Sequence, residues 1–503
     1  MAPINRRQFM AAAASAATFT ARGTPTPRSP ARAPWQLTAR QAATRLRAGT
    51  LTSTALVRSC LRRIDEVNPH VNALNVVDAE GALRAAAEAD KALAAGRSNG
   101  PLHGIPVAIK DNTDVRGQPM TNGVVALRDN IAIADAPQVT RLRQAGAVLL
   151  GRSNTPCFSL SWDARNDLHG ITWNPWSLLH TPGGSSGGAA CAVATGMVPL
   201  AQGNDIGGSI RYPAYCCGVP GLRPTPGRVP GLFSPARGED ALGLQLMLVE
   251  GPMARCVDDL RLMLDGFSGF DPRVAGSIPL PFPGGTSSQP PVIGVLREDA
   301  ICPRSPTVSA ALERAVIALQ AAGYRVQELR VPELEEAWRL WWLLVMEETR
   351  ALLPDIERDG DAPIKAWIRY NYAVAAEMWG PHPTLSDYIN GYTRRAMLIS
   401  RVQQTLQSYP ILLLPVANDE PMLHGQHYAS LPAARTAISS GWPLMALPVL
   451  GFPSLVVPTG LADGLPTGVQ LMGRRFHEQD ILRIGEVIEA AMPRLTPMEP
   501  VGG

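Results

Sequence analysis

Two glycine clusters, TPGGSSGGAA at 181–190 and GNDIGGSIR at 203–211, bracket the apolar run CAVATGMVPLAQG. Glycines this dense would ordinarily mark a linker, but the small apolar residues between them belong in a core. The stretch from about Thr155 to Pro230 therefore reads as ordered, tightly turned backbone. Consecutive glycines let neighbouring backbone N–H groups converge without Cβ obstruction, which is the geometry needed to hold an anion or a developing oxyanion.

The first cluster fits neither of the motifs it most resembles by letter. A phosphate loop needs a lysine and then Ser or Thr after the glycines, and Ala189 and Ala190 stand there instead. Gly184, Ser186 and Gly188 satisfy GxSxG, but a nucleophile elbow follows a strand directly, and LLHTPGG with Pro182 is a poor strand. An α/β-hydrolase esterase using Ser186 stays open as the alternative that this pattern supplies. In the second cluster Ser209 follows Ile206, Gly207 and Gly208, so its hydroxyl could attack a carbonyl whose oxygen sits among the glycine N–H groups. Such a serine needs a base.

The surrounding pattern is that of an α/β sheet. Thr38 and Thr52 stand where they can cap ARQAATRLRAG and STALVRSCLRRIDEV, and an alanine-rich helix follows to about Ala95. GIPVAIKDN and AGAVLLGRSN read as buried strands separated by the helix PQVTRLRQAG. Strand, helix and strand return from PPVIGVLRED through ALERAVIALQAAGYRVQEL. Residues 335–410 turn helical and tryptophan-rich, after which ILLLPVAN, PSLVVPTG and GLPTGVQLMG read as closing strands and EQDILRIGEVIEAAM as a last helix. The expected organisation is a single domain over residues 34–503.

The eight histidines show no triad-like or HExxH context. Lys110 ends the strand of Val107, Ala108 and Ile109, where burial would lower its pKa toward that of a usable base. Alone, such a lysine is more often half of a structural ion pair; its company decides otherwise.

GIPVAIKDN followed by TPGGSSGGAACAVATGMVPLAQGNDIGGSIRYPAYCCGVPGLRPTPGRV resembles the amidase signature family, serine hydrolases with a Ser–cis-Ser–Lys triad. SNTP at 153–156, ITWNPW at 171–176 and GLPTGVQLMG at 464–473 extend the likeness over most of the chain. The resemblance implies a large central mixed β-sheet covered on both faces by helices. It makes Lys110 the base, Ser185 the serine after a cis peptide bond and Ser209 the nucleophile. Ile206, Gly207, Gly208 and the Ser209 N–H would then form the oxyanion hole. Ser186, Asp205 and Arg211 would support them, Asp205 and Arg211 by pairing across the nucleophile's loop. The implied reaction passes a proton from Ser209 through Ser185 to Lys110, forms an acyl-enzyme, and ends in hydrolysis. An amide is the implied small-molecule substrate; esters and carbamates share the acyl-enzyme chemistry, and one component of a tRNA-dependent amidotransferase is a further alternative. The chain departs from the family pattern at Cys157, often glutamate, and at Arg223, usually lysine.

The substrate pocket is expected to draw on 335–410, where Trp338, Trp341 and Trp342 share one helical face, with Trp367, Tyr370, Tyr372 and Trp379 nearby. Cys157 is the other candidate for its wall. Core packing is the commoner use of such a stripe; where it lines the pocket, a bulky or aromatic uncharged amide is expected.

Charge excludes one class of partner. The formal net charge is +3, but residues 1–33 hold five arginines and no acid, so the remainder has no basic field for nucleic acid. The start, MAPINRRQFMAAAASAATFTARG, resembles a twin-arginine export signal, and TPTPRSPARAP a Pro-rich linker, so a periplasmic or extracellular protein is expected. No apolar run is long enough to span a membrane. Seven cysteines without CxxC spacing suggest neither a metal site nor a disulfide framework, and neither metal nor cofactor is expected.

Overall fold

Eleven strands make one mixed sheet in the computed structural model, which describes residues 32–232, 240–280, 290–297 and 301–502. From edge to edge they are Leu74–Val77, Val148–Ser153, Pro106–Lys110, Leu200–Asp205, Val249–Ala254, Gly221–Arg223, Ser454–Ala462, Leu465–Gly473, Ile411–Pro415, Ile293–Val295 and Val326–Glu328. Helices flank the sheet, and Pro34–Gly503 forms one compact unit. The export-type stretch and most of the Pro-rich linker lie outside the described residues. Among the described residues, no helix is long and apolar enough to cross a membrane, and no cluster of three or more His, Cys, Asp or Glu could hold a metal.

Local sequence chemistry accounts for the elements the site depends on. Thr38 caps the helix Ala39–Arg47 in a reciprocal box with Gln41, and Thr52 caps Ser53–Val71 through the Ala55 N–H. Every residue of Pro106–Lys110 is buried, as expected of a strand covered on both faces. It pairs in parallel with Val148–Ser153 on one side and Leu200–Asp205 on the other. Parallel pairing puts the C-terminal ends of these strands at one edge of the sheet, where crevices form. Lys110, Asn204 and Asp205 therefore emerge together.

The glycine-rich stretch is core, as its apolar residues require. Gly187–Ala194 is a helix whose eight residues are all buried, and it packs on Arg211–Cys217, the helix after Ser209. At Gly188 a Cβ would lie 2.5 Å from the Asn154 backbone nitrogen, so only glycine lets this helix start seat against the strand end. None of the seven cysteines is in a disulfide, and five of them are buried, in keeping with a role as small apolar residues.

Candidate active site

Lys110 is fully buried, and its Nζ stands 2.6 Å from Ser185 Oγ and 2.7 Å from Asn204 Oδ1. Its backbone N–H donates to Gln202 Oε1 at 2.8 Å, tying the strand end to the neighbouring strand. Loss of hydration pushes its ammonium down to about 7, although the charges of Glu250 and Asp205 pull the other way. Burial in turn pushes the Glu250 carboxyl up to about 7. The lowered lysine pKa favours an unprotonated amine against the serine hydroxyl.

Ser185 is also buried, and the Gly184–Ser185 peptide bond is cis. The next N–H, that of Ser186, donates to the Ser209 carbonyl at 3.2 Å, docking the first glycine cluster on the second. Ser186 begins the helix without a strand before it, and its buried Oγ has no hydrogen-bond partner. GxSxG is therefore not an elbow here. Of Lys110, Ser185 and Ser209, only Ser209 borders the adjoining cavity.

The turn carrying Ser209 is held from beneath by a buried ion pair. Arg211 Nη2 lies 3.0 Å from Asp205 Oδ1 and Arg211 Nε 3.0 Å from Oδ2, and the Arg223 guanidinium reaches Asp205 Oδ1 at 3.7 Å. Burial alone would raise the Asp205 carboxyl, but the two arginines hold it below the usual carboxylate range. Arg223 also donates to the carbonyls of Asp205 and, at 2.7 Å, Met247, a two-pronged contact that a lysine could not copy.

Asp205 Oδ1 also takes the Gly208 N–H at 3.0 Å. That commits one of the four N–H groups implied for an oxyanion hole and leaves Ile206, Gly207 and Ser209, which all border the cavity. Gly208 has φ +97°, and a Cβ there would lie 2.7 Å from that of Leu444, so the turn requires glycine at this point. Arg211→Met takes the nearer of two guanidiniums away from the buried Asp205 carboxylate. It is expected to cost about 3 kcal/mol of stability, read as a lowered urea midpoint with unchanged slope.

The cavity is walled by Trp162, Trp341, Trp342, Val345, Met346, Trp367, Ile368 and Met445. Trp341 Nε1 donates to the Ile206 carbonyl at 2.8 Å and Trp162 Nε1 to the Gly207 carbonyl at 2.9 Å. Two indoles thus grip the backbone of the turn while presenting ring surface to the cavity. Trp338 shares the helix Glu333–Thr349 with Trp341 and Trp342 but packs in the core and does not border the cavity. Cys157 does not border it either: it is buried in the turn Cys157–Ser159, and burial pushes its thiol up to about 12. Tyr372 and Trp379 line a different cavity with Arg350. Sequence reasoning missed Trp162, Asn204, Glu250 and Asn371, none of which belongs to a recognisable spacing.

Other proteins resemble this chain over most of its length. A family model described as Amidase matches residues 55–482. The indoleacetamide hydrolase of Bradyrhizobium diazoefficiens is 37% identical over 473 residues, spanning 90% of this chain and 86% of its own. A glutamyl-tRNA(Gln) amidotransferase subunit of Chloroflexus aggregans is 34% identical over 487 residues, spanning 90% of this chain and 96% of its own. A crystal structure described as an amidase superposes with TM-score 0.74 at 29% identity, covering 91% of this chain and all of that one.

Proposed function

The chain belongs to the amidase signature family of amide hydrolases, and from that footing we propose that Ser209 is its nucleophile, with Ser185 and Lys110 as the proton relay. The observation that carries this reading is the fully buried Lys110 amine 2.6 Å from Ser185 Oγ, next to the turn that presents Ser209 to the cavity. Neutral Lys110 Nζ takes the Ser185 proton while Ser185 Oγ takes that of Ser209. Ser209 Oγ then attacks the carbonyl carbon, and the N–H groups of Ile206, Gly207 and Ser209 receive the developing oxyanion. The relay returns a proton to the leaving nitrogen, and water hydrolyses the acyl-enzyme. Asp205, Arg211 and Ser186 act through the turn they brace.

The substrate in this reading is a small amide with an aromatic or bulky hydrophobic group. Four tryptophans in the cavity wall support it, as does the relative whose name gives indoleacetamide as what it hydrolyses. The test is release of ammonia or amine by the purified protein from indoleacetamide, an anilide and a short aliphatic amide, without glutamine, ATP or tRNA. Turnover of the aryl amides well above the aliphatic one is expected. No turnover of any amide alone, with activity restored only by partner proteins and a tRNA, would favour the amidotransferase reading, which the second relative motivates. Ester or carbamate turnover on the same three residues would broaden the substrate class without changing the chemistry.

The base assignment fixes a pH dependence. Because the active form carries neutral Lys110, kcat/KM should rise with pH through an apparent pKa near 7. Glu250 raises the lysine's affinity for its proton, so Glu250→Gln should move this acid limb to lower pH. A limb that stays put or moves upward in that variant would contradict the assignment of the limb to Lys110.

A further inference from the structure

Polar groups in the cavity wall are few, and two of them, the Trp342 indole N–H and the Asn371 carboxamide oxygen, are buried without a hydrogen-bond partner. Ser159 Oγ donates to Asn122 Oδ1 at 2.6 Å, Ser161 Oγ lies 2.7 Å from His427 Nε2, and Thr349 Oγ1 donates to the Val345 carbonyl at 2.7 Å. Ser209 is the proposed nucleophile. Of these two, the acceptor is Asn371, on the helix Ala362–Trp379, which borders the cavity with only 5% of its surface exposed. Its Oδ1 is buried and has no hydrogen-bond partner. A buried amide oxygen left unpaired is costly, and a hydrophobic side chain of similar size would avoid that cost. No hydrogen bond holds the carboxamide in its present orientation, and a half-turn about its last bond would bring the oxygen toward the indole-walled space, where a ligand can supply the partner it lacks.

We propose that Asn371 is a specificity-determining residue whose carboxamide takes a hydrogen bond from an N–H or O–H on the aromatic part of the substrate. The preferred amides are then those of polar aromatics, an indole or phenol ring, in preference to plain hydrocarbon rings of the same shape. This rests on the reading that Ser209 cleaves an aryl amide held in this cavity and says which aryl group the cavity selects. Discrimination of this kind is strong when a site is built to pair with a substrate N–H or O–H, because the isostere lacking it leaves the site's own polar group unpaired.

The experiment compares kcat/KM for indole-3-acetamide and its benzothiophene isostere, in which sulfur replaces the ring N–H, and for 4-hydroxyphenylacetamide and phenylacetamide. Each pair is measured on the wild type and on Asn371→Leu. The wild type is expected to favour the N–H or O–H member of at least one pair by about tenfold to a hundredfold. In Asn371→Leu that ratio should fall close to one. Because both members of a pair are read on the same protein, partial unfolding of the variant lowers both rates and leaves their ratio intact. Equal turnover within both pairs by the wild type would overturn the inference while sparing the aryl-amide reading, as would a preference that survives Asn371→Leu. A wild type that hydrolyses none of the four would overturn the aryl-amide reading, and this inference with it.

Discussion

Ser209→Ala is expected to lower kcat for amide hydrolysis by about 10⁴-fold or more, with the thermal midpoint within roughly 2 °C of the wild type. Of Lys110, Ser185 and Ser209, only the last borders the cavity, so its hydroxyl is the only one of the three that a substrate carbonyl can meet there. What positions it is left in place by the substitution: the Ser186 N–H donates to the Ser209 backbone carbonyl, and the Gly208 N–H is held by Asp205. Loss of the hydroxyl therefore removes the attacking atom without removing the turn. Affinity for an aryl amide, measured by equilibrium binding to the variant, should stay within a few-fold of the wild-type value because the indole walls are untouched. Ser186→Ala is the control. It deletes a buried hydroxyl that has no partner, and activity within about tenfold of the wild type is expected. A larger loss in Ser186→Ala than in Ser209→Ala would restore the esterase alternative built on GxSxG.

Lys110→Met should cost about 10³-fold to 10⁴-fold in kcat by removing the relay's terminal base. The double variant Lys110→Met/Ser209→Ala should be no slower than Ser209→Ala alone, since groups that act as one unit are not additive. Stability separates this role from a structural one. A fully buried ammonium is held at the expense of its hydration, which is why its pKa falls to about 7. Methionine carries no such cost, so the variant should melt at or above the wild-type temperature while losing its activity. A marked fall in the midpoint together with a small change in kcat would make Lys110 a structural residue instead.

The parts of this site that could be read in the sequence are those whose chemistry is local. Lys110 at the end of an apolar run, the converging glycines before Ser209, and the caps at Thr38 and Thr52 each need only a few neighbouring residues, and each occupies the element expected of it. The pocket wall could not be read this way because tertiary packing decides it. Trp338, Trp341 and Trp342 share one helical face, yet two border the cavity and one does not, a distinction set by what packs against that helix. Trp162 and Asn371 reach the same space from segments far from Ser209 in sequence, and neither sits in a motif. The Gly208 N–H shows the same limit on a smaller scale. The glycine pattern indicates that N–H groups converge, but only the fold shows that Asp205 has already taken one of them.

The measurement that bears most directly on the central claim is labelling of the purified protein with a fluorophosphonate, followed by peptide mapping. The phosphonyl group reacts with whichever serine hydroxyl is activated, so it reads the nucleophile whatever the substrate is. The expected result is a single modification on Ser209, abolished in Ser209→Ala and strongly slowed in Lys110→Met. Modification of Ser186, or of any serine other than Ser209, would contradict the account.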